Sequence, residues 1–276
     1  MGRFQVSFWA NDLSHGGCFA GKPDCYAVLE DKAGAEIGRT ETIVADRQPD
    51  WVKILFIEAD AAQFTPLTVK VYHETTYDPI LLGHAVFEAT EVHQATGHTE
   101  SKALQEGKSK GQISMSVVES DGSGERGLVT LQLRGLDIFN SEPGALGLGR
   151  SDPFFEIAKK TKEPLKGFSR WNAVYRSEIV EDHLNPFWKE FTIGLEELCN
   201  GNTKEPIRIA VFDARKGANR LIGAKETTLE QIEQRVGIRG NADREMAFEM
   251  VYESETGKTT GTGLLCILKC VVDKAA

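Results

Sequence analysis

One pattern of strands and turns is used twice along the chain, and that repeat constrains the fold more than any other feature. Each half opens on a run that alternates apolar and polar residues, Phe4–Ala10 and again Val129–Arg134. A long glycine-containing loop follows and ends in Asp24-Cys25-Tyr26 or Asp152-Pro153-Phe154. A hairpin then carries Gly38-Arg39-Thr40-Glu41 or Tyr175-Arg176-Ser177-Glu178. Next come Gln48-Pro49-Asp50-Trp51 and Asn185-Pro186-Phe187-Trp188. A strand and loop lead to Leu81-Leu82-Gly83 or Leu221-Ile222-Gly223, and each half closes on a strand, Gln112–Glu119 or Gly263–Val272. Successive strand side chains point to opposite faces, so each run has one apolar face to cover. Many short strands separated by turn dipeptides, such as Gly-Asn at 201–202, are covered by packing sheet on sheet.

The fold expected is therefore all-β: two tandem eight-stranded antiparallel β-sandwiches. The only convincing linker is the polar, glycine-rich stretch 120–127, which leaves 1–119 as the first domain and 128–276 as the second. A short helix is expected over Thr228–Arg235, where Thr228 and Gln231 have capping-box spacing.

The length of 276 residues suits two domains, and 41% hydrophobic with 26% charged residues is a globular composition. A net charge of −9 and a pI near 5.3 exclude a protein that coats duplex nucleic acid, so no nucleic-acid partner is expected. Residues 1–119 hold 10 Lys+Arg against 17 Asp+Glu, so most of the negative charge lies in the first half. No apolar run approaches the roughly 20 residues that cross a bilayer, and the opening residues lack the apolar core of a signal peptide. Gly2 is followed at position six by Val6 rather than Ser or Thr, which argues against myristoylation. The five cysteines form no C-x-x-C pair, and reduced thiols in the cytosol are expected. No G-x-S-x-G, H-E-x-x-H or P-loop occurs, so the expected function is not enzymatic.

The second half resembles a C2 domain over about residues 128–272. The resemblance rests on Ser151-Asp152-Pro153-Phe154, Tyr175-Arg176-Ser177-Glu178, Leu184-Asn185-Pro186-Phe187-Trp188, Val211-Phe212-Asp213 and Leu221-Ile222-Gly223. With Leu198-Cys199-Asn200-Gly201, this order is similar to the second C2 domain of copines, and the first half to their first. Copines continue into a von Willebrand A-type domain, whereas this chain stops at Ala276, so a copine-like pair without that domain, or a piece cut there, is expected. The resemblance implies type II C2 topology, because no strand precedes the one that leads into each Asp-bearing loop.

The resemblance also implies a candidate calcium site, since C2 domains commonly hold Ca²⁺ between apical loops through about five carboxylates, and ligand charge sets affinity. In the second half Asp152 and Asp213 match that pattern, but Arg215 and Arg220 stand where carboxylates are expected. Asn140 falls near the first-loop Asp, with Asp137 or Glu142 as substitutes. A guanidinium cannot lose its charge, so Arg215 or Arg220 is expected to pair with Asp152 or Asp213 in place of the metal. In the first half Asp24 matches, and His73 and Thr75 replace the third-loop carboxylates. At most weak calcium binding is expected as a cofactor. Cys18, Cys25, His73 and His15 are zinc-ligand types, but their spacing matches no zinc motif.

Lys159, Lys160, Lys162, Lys166 and Arg170 share one hairpin, where other C2 domains carry a cluster for phosphoinositide headgroups. With Arg215, Lys216 and Arg220 they are the candidate lipid-binding residues, and a solvated hairpin is the alternative. Ile138, Phe139, Leu146 and Leu148 could insert shallowly from the second tip if exposed. The function expected is a tandem C2 module that binds an anionic phospholipid membrane, cytoplasmic and peripheral, with calcium dependence weak or lost. The alternative is a scaffold or adaptor that uses the sandwiches to hold protein partners.

Overall fold

A computed structural model describes residues 2–14, 21–60, 65–120, 124–141, 149–160, 171–215, 219–237, 242–253 and 257–274. The described residues up to Ser120 form one compact unit and those from Gly124 form a second.

The first unit contains β1 (Gly2–Asn11), β2 (Cys25–Glu30), β3 (Glu36–Arg39), β4 (Leu55–Ala59), β5 (Leu67–His73), β6 (Ile80–Phe87), the helix α1 (Ala89–Gln94), β7 (Thr99–Ala103) and β8 (Gln112–Glu119). The second repeats the order with β9 (Gly127–Leu136), β10 (Pro153–Lys160), β11 (Trp171–Arg176), β12 (Phe191–Gly194), α2 (Leu195–Cys199), β13 (Ile207–Asp213), β14 (Arg220–Thr227), α3 (Leu229–Glu233), α4 (Ala242–Met246), β15 (Phe248–Glu253) and β16 (Thr259–Lys274). All strand pairings between named strands are antiparallel.

In the first unit one sheet runs β4-β1-β8-β7 and the other β3-β2-β5-β6. The second has the matching orders β12-β9-β16-β15 and β11-β10-β13-β14, joined at one edge by Ala224 opposite Val251. The opening strand of each unit thus lies beside the closing one. Gly127, expected in the linker, is the first residue of β9 and pairs with Lys274.

Alternation decides which residues enter the core. Phe4, Val6, Phe8 and Ala10 on β1 are buried, and so are Val129, Leu131 and Leu133 on β9. Leu67, Val69 and Val71 on β5 match Ile207, Ile209 and Val211 on β13. Each such Val, Leu, Ile or Phe side chain contributes about 1.5–3 kcal/mol of burial. The next inward position on each strand is His73 or Asp213, where the core gives way to the loops. At α3 the Thr228 hydroxyl accepts from the Gln231 amide at 3.2 Å, which is the cap expected there. The Gln231 side chain instead accepts from the Thr227 hydroxyl at 3.0 Å, so only half of a reciprocal box forms.

Candidate functional site

The candidate site is the end of each sandwich where three loops meet. They connect β1–β2, β3–β4 and β5–β6 in the first unit and β9–β10, β11–β12 and β13–β14 in the second. One hydrogen-bonded frame holds both ends. Trp51 Nε1–H donates to the Cys25 carbonyl at 3.0 Å, and Trp188 Nε1–H to the Pro153 carbonyl at 3.3 Å. Thr40 Oγ1 accepts from the Ala27 amide and Ser177 Oγ from the Phe155 amide, both at 2.9 Å. Glu41 accepts from the Val52 amide at 2.7 Å, and Glu178 from the Lys189 amide at 2.6 Å.

Asp24 and Asp152 belong to the same frame. Asp24 Oδ1 accepts from the Ala45 amide at 2.8 Å, and Asp152 Oδ1 from the Asp182 amide at 2.7 Å. Ala45 and Asp182 have φ of 51° and 50°, a left-handed conformation that costs a residue with a Cβ roughly 1–2 kcal/mol. The charge-assisted bond offsets part of that cost. Asp24 and Asp152, both expected as metal ligands, therefore already clamp the middle loop.

In the second unit Asp213 is fully buried and both of its oxygens are engaged. Oδ1 accepts from the Asp152 amide at 2.7 Å. Oδ2 accepts from the Ser141 hydroxyl at 2.5 Å and from Arg215 Nε at 3.2 Å. Arg215 Nη2 also donates to the Ser141 carbonyl at 3.0 Å and to its hydroxyl at 3.1 Å. Arg220 does not reach a carboxylate of this set; its Nη1 donates to the same Ser141 carbonyl at 3.3 Å. The pairing expected from the sequence is present for Arg215. The guanidinium supplies the positive charge that a buried carboxylate requires.

The first-loop substitutes point elsewhere. Asp137 pairs with Arg244, and Asn140 Nδ2 donates to the Gly149 carbonyl at 2.8 Å. Glu142 lies outside the described residues. Among the described residues the donor set fits calcium poorly: both Asp213 oxygens accept from N–H or O–H donors, Asp152 Oδ1 is held by the Asp182 amide, and Arg215 brings a fixed cation against the carboxylate. Sequence reasoning missed Ser141. A serine among loop residues carries no distinctive signal, and its contacts to Asp213 span 72 positions.

In the first unit His73 takes the place of Asp213. Cys25 pairs with His73 as Pro153 pairs with Asp213. The Asp24 amide lies 3.0 Å from His73 Nδ1, as the Asp152 amide lies 2.7 Å from Asp213. Thr75 stands where Arg215 does and closes its own loop: its hydroxyl donates to the Asp78 carbonyl at 3.0 Å and accepts from the Tyr77 amide at 3.1 Å. Tyr77 is thereby held outward, 91% exposed, and Val44, next to the clamped Ala45, is 71% exposed. From the sequence, apolar prongs are expected on the second unit instead. There Phe139 is exposed, Ile138 is buried in contrast to the expectation, and Leu146 and Leu148 lie outside the described residues.

The zinc ligand types do not assemble among the described residues, where no group of three or more metal-ligating side chains occurs. Burial pushes the Cys25 thiol up to about 12, with Asp24 and Asp46 adding to the shift, so it stays protonated. Cys18 and His15 lie outside the described residues.

The basic hairpin needs a correction. Lys159 is 3% exposed, and its ammonium donates to Asn200 Oδ1 at 2.9 Å and to the Glu196 carbonyl at 3.3 Å. It lies at the C-terminal end of α2, where it shares the Glu196 carbonyl with the Asn200 amide and a cation is favoured. Turned inward, it offers nothing to a headgroup. Lys160 is exposed, 4.8 Å from the Trp171 ring and 3.7 Å from a Glu226 carboxylate oxygen. Lys162, Lys166, Arg170 and Lys216 lie outside the described residues.

Paired four-stranded sheets, matched strand orders and loop-borne aspartates at one end of each sandwich define a C2 architecture. The C2 domain profile matches residues 7–104 and 130–243, and the chain belongs to the C2-domain family. The structure described as BON1-C2B is 18% identical and covers 54% of this chain and 92% of its own, with a TM-score of 0.43. The calcium-bound tandem C2 domains of Extended-Synaptotagmin 2 are 16% identical and cover 100% of this chain and 98% of theirs, with a TM-score of 0.36.

Proposed function

We propose that this tandem C2 chain is a non-enzymatic module of the copine type that docks peripherally on anionic phospholipid surfaces without calcium. The observation that carries the calcium-independent part is the Arg215 guanidinium seated on the buried Asp213. His73, which stands in place of a carboxylate at the same position of the first unit, supports it.

Two features support a lipid surface as the partner. Val44 and Tyr77 are exposed on two loops of the first tip, and an aromatic ring with a polar end suits the interfacial layer. Lys160 and Arg220 are exposed cations, and each cation near an anionic surface contributes about 1 kcal/mol. Among the described residues no helix is long and apolar enough to cross a membrane.

The scaffold reading draws on the acidity of residues 1–119 and on Tyr77, since exposed aromatics anchor protein interfaces as well. Vesicle co-sedimentation separates the two. The full chain should pellet with phosphatidylserine-containing vesicles equally in calcium and in EGTA, and less as salt rises, because exposed charges are screened over about 8 Å at physiological ionic strength. Tyr77→Ala should lower the bound fraction several-fold while leaving thermal unfolding unchanged. Failure of the full chain to pellet under any of these conditions would favour the scaffold.

A further inference from the structure

We infer that Lys225 and Arg235 form, over the ring of Phe248, a site for the phosphate group of a soluble ligand on the second unit, away from its loop tip. The inference goes beyond the docking function, and none of the residues proposed for docking is among its ligands.

Two cations share one ring. The Arg235 guanidinium lies 4.8 Å and the Lys225 ammonium 5.8 Å from the Phe248 centroid. The ring attracts cations but carries no net charge, so it holds the pair in place without balancing it. Arg235 Nη1 also donates to the Ala247 carbonyl at 3.3 Å, another neutral acceptor. Among the described residues neither cation is in an ion pair. The carboxylates of neighbouring elements point elsewhere or into solvent. Glu226 lies 3.7 Å from Lys160, Glu233 acts on Cys270 and Lys274, and Glu249 lies against Gly261. Glu230 and Glu245 are exposed and pair with neither cation.

The matching positions of the first unit show that the fold does not call for these cations. Lys225 sits opposite the buried Ile209 as Ala85 sits opposite the buried Val69, so both occupy the inward face of their strand. Ala85 is itself buried, the small apolar residue that such a position favours. Arg235 and Ala95 each follow their helix N-cap, Thr228 or Glu88, by seven residues. Two alanines in one unit are thus two cations in the other. A lysine on an inward face costs desolvation, which no ion pair among the described residues offsets.

Charge and place select the occupant. A phosphate monoester carries close to two negative charges, which matches the pair, whereas a carboxylate carries one. Stacked on Phe248, the guanidinium keeps in-plane donors for an oxyanion, and the ammonium adds a mobile point charge. Lys225 stands five residues along β14 from Arg220, about 17 Å from the loop end. Arg235 is exposed and Lys225 half-buried, so the site opens to solvent while the loops are engaged.

The test titrates inorganic phosphate, and acetate as a monovalent comparison, into the isotopically labelled full chain at constant ionic strength, read by amide NMR shifts. Phosphate should shift the amides of Lys225, Arg235 and Phe248 along one saturating curve, and acetate should bind more weakly by about tenfold, the loss of one charge-assisted contact. Arg235→Gln and Lys225→Gln should each weaken phosphate by a similar factor. Lys204→Gln, at an exposed lysine in the turn before β13, should bind as wild type. Thermal unfolding checks that each variant is folded, and Arg235→Gln, at an exposed position, carries the test if Lys225→Gln unfolds. Absence of saturating shifts in the wild type overturns the site. So does equal binding by Arg235→Gln, an equal loss in Lys204→Gln, or equal binding of acetate. Co-sedimentation with phosphatidylserine vesicles keeps this site apart from the docking function. Arg235→Gln should pellet as wild type, and a several-fold loss would place Arg235 on the membrane surface and overturn the soluble site. Failure of the wild type to pellet removes the docking function and leaves the phosphate shifts untouched.

Discussion

Where β13 ends in a buried aspartate, the equivalent strand β5 ends in a half-buried histidine, and the two tips differ in character from that position outward. Asp213 draws in Ser141 and Arg215 and commits the second tip to an internal ion pair. His73 lies 3.0 Å from the equivalent Asp24 amide, and the first tip carries a threonine at position 75 and projects an aromatic ring. The frame beneath is common to both: the tryptophan bonds to the strand carbonyl, and the aspartates hold the left-handed residues at 45 and 182. The difference teaches that one backbone frame accommodates two central residues, a buried carboxylate answered by a guanidinium or a half-buried imidazole with a threonine in that partner position.

The sharpest way to break this comparison is to delete the two central residues. Asp213→Ala leaves Arg215, the Ser141 hydroxyl and the Asp152 amide short of a partner at a buried point, and should cost about 3 kcal/mol. His73→Ala removes one half-buried acceptor and should cost about 1 kcal/mol. Urea unfolding of the full chain checks both, and equal losses would mean that the tips are not organised differently.

A neighbouring pair of lysines separates frame from surface. Lys159→Ala should destabilise the second domain by about 1–3 kcal/mol, because it removes a buried side chain and the charged donor that the part-buried Asn200 side chain and Glu196 carbonyl share. Lys160→Ala should fall within about 0.5 kcal/mol of wild type. Thermal unfolding distinguishes them, and an innocuous Lys159→Ala would contradict the buried role.

The smallest effect concerns pH. The Cys25 thiol is raised from an ordinary 9 to about 12 by burial, and its second-domain counterpart is Pro153. A raised thiol favours folding below its unfolded value, and that contribution is lost as pH climbs from 9 towards 12. The decline is at most about 1.4 kcal/mol per pH unit. Cys25→Ala should flatten the alkaline fall in the urea midpoint of the first domain. A slope unchanged by the substitution would place the loss at another group.

Much of the frame was legible in the sequence because it is local or periodic. Alternation marked the core strands, and the resemblance to C2 domains pointed to Asp152, Asp213, Arg215 and Arg220 as the residues of the second tip. The role of Lys159 was legible in principle: it shares strand parity with the buried Phe155 and Ile157, while Lys160 shares it with Glu156 and Ala158. A run of lysines masks that parity, and the partner at Asn200 lies 41 positions away. The contact between Ser141 and Asp213 and the exposure of Tyr77 arise from loop closure, which no periodicity records. The helix α2, only five residues long, is too short for a helical period to show.

The central claim is that a tethered guanidinium occupies the place of the metal. Its most direct test is calorimetric titration of calcium into the full chain and into the Arg215→Asp, Arg220→Asp double variant. The account predicts no binding isotherm for the wild type at millimolar calcium, and for the variant a dissociation constant on the order of 10⁻⁴–10⁻³ M. A micromolar site in the wild type, or one unaltered by the two substitutions, would contradict it.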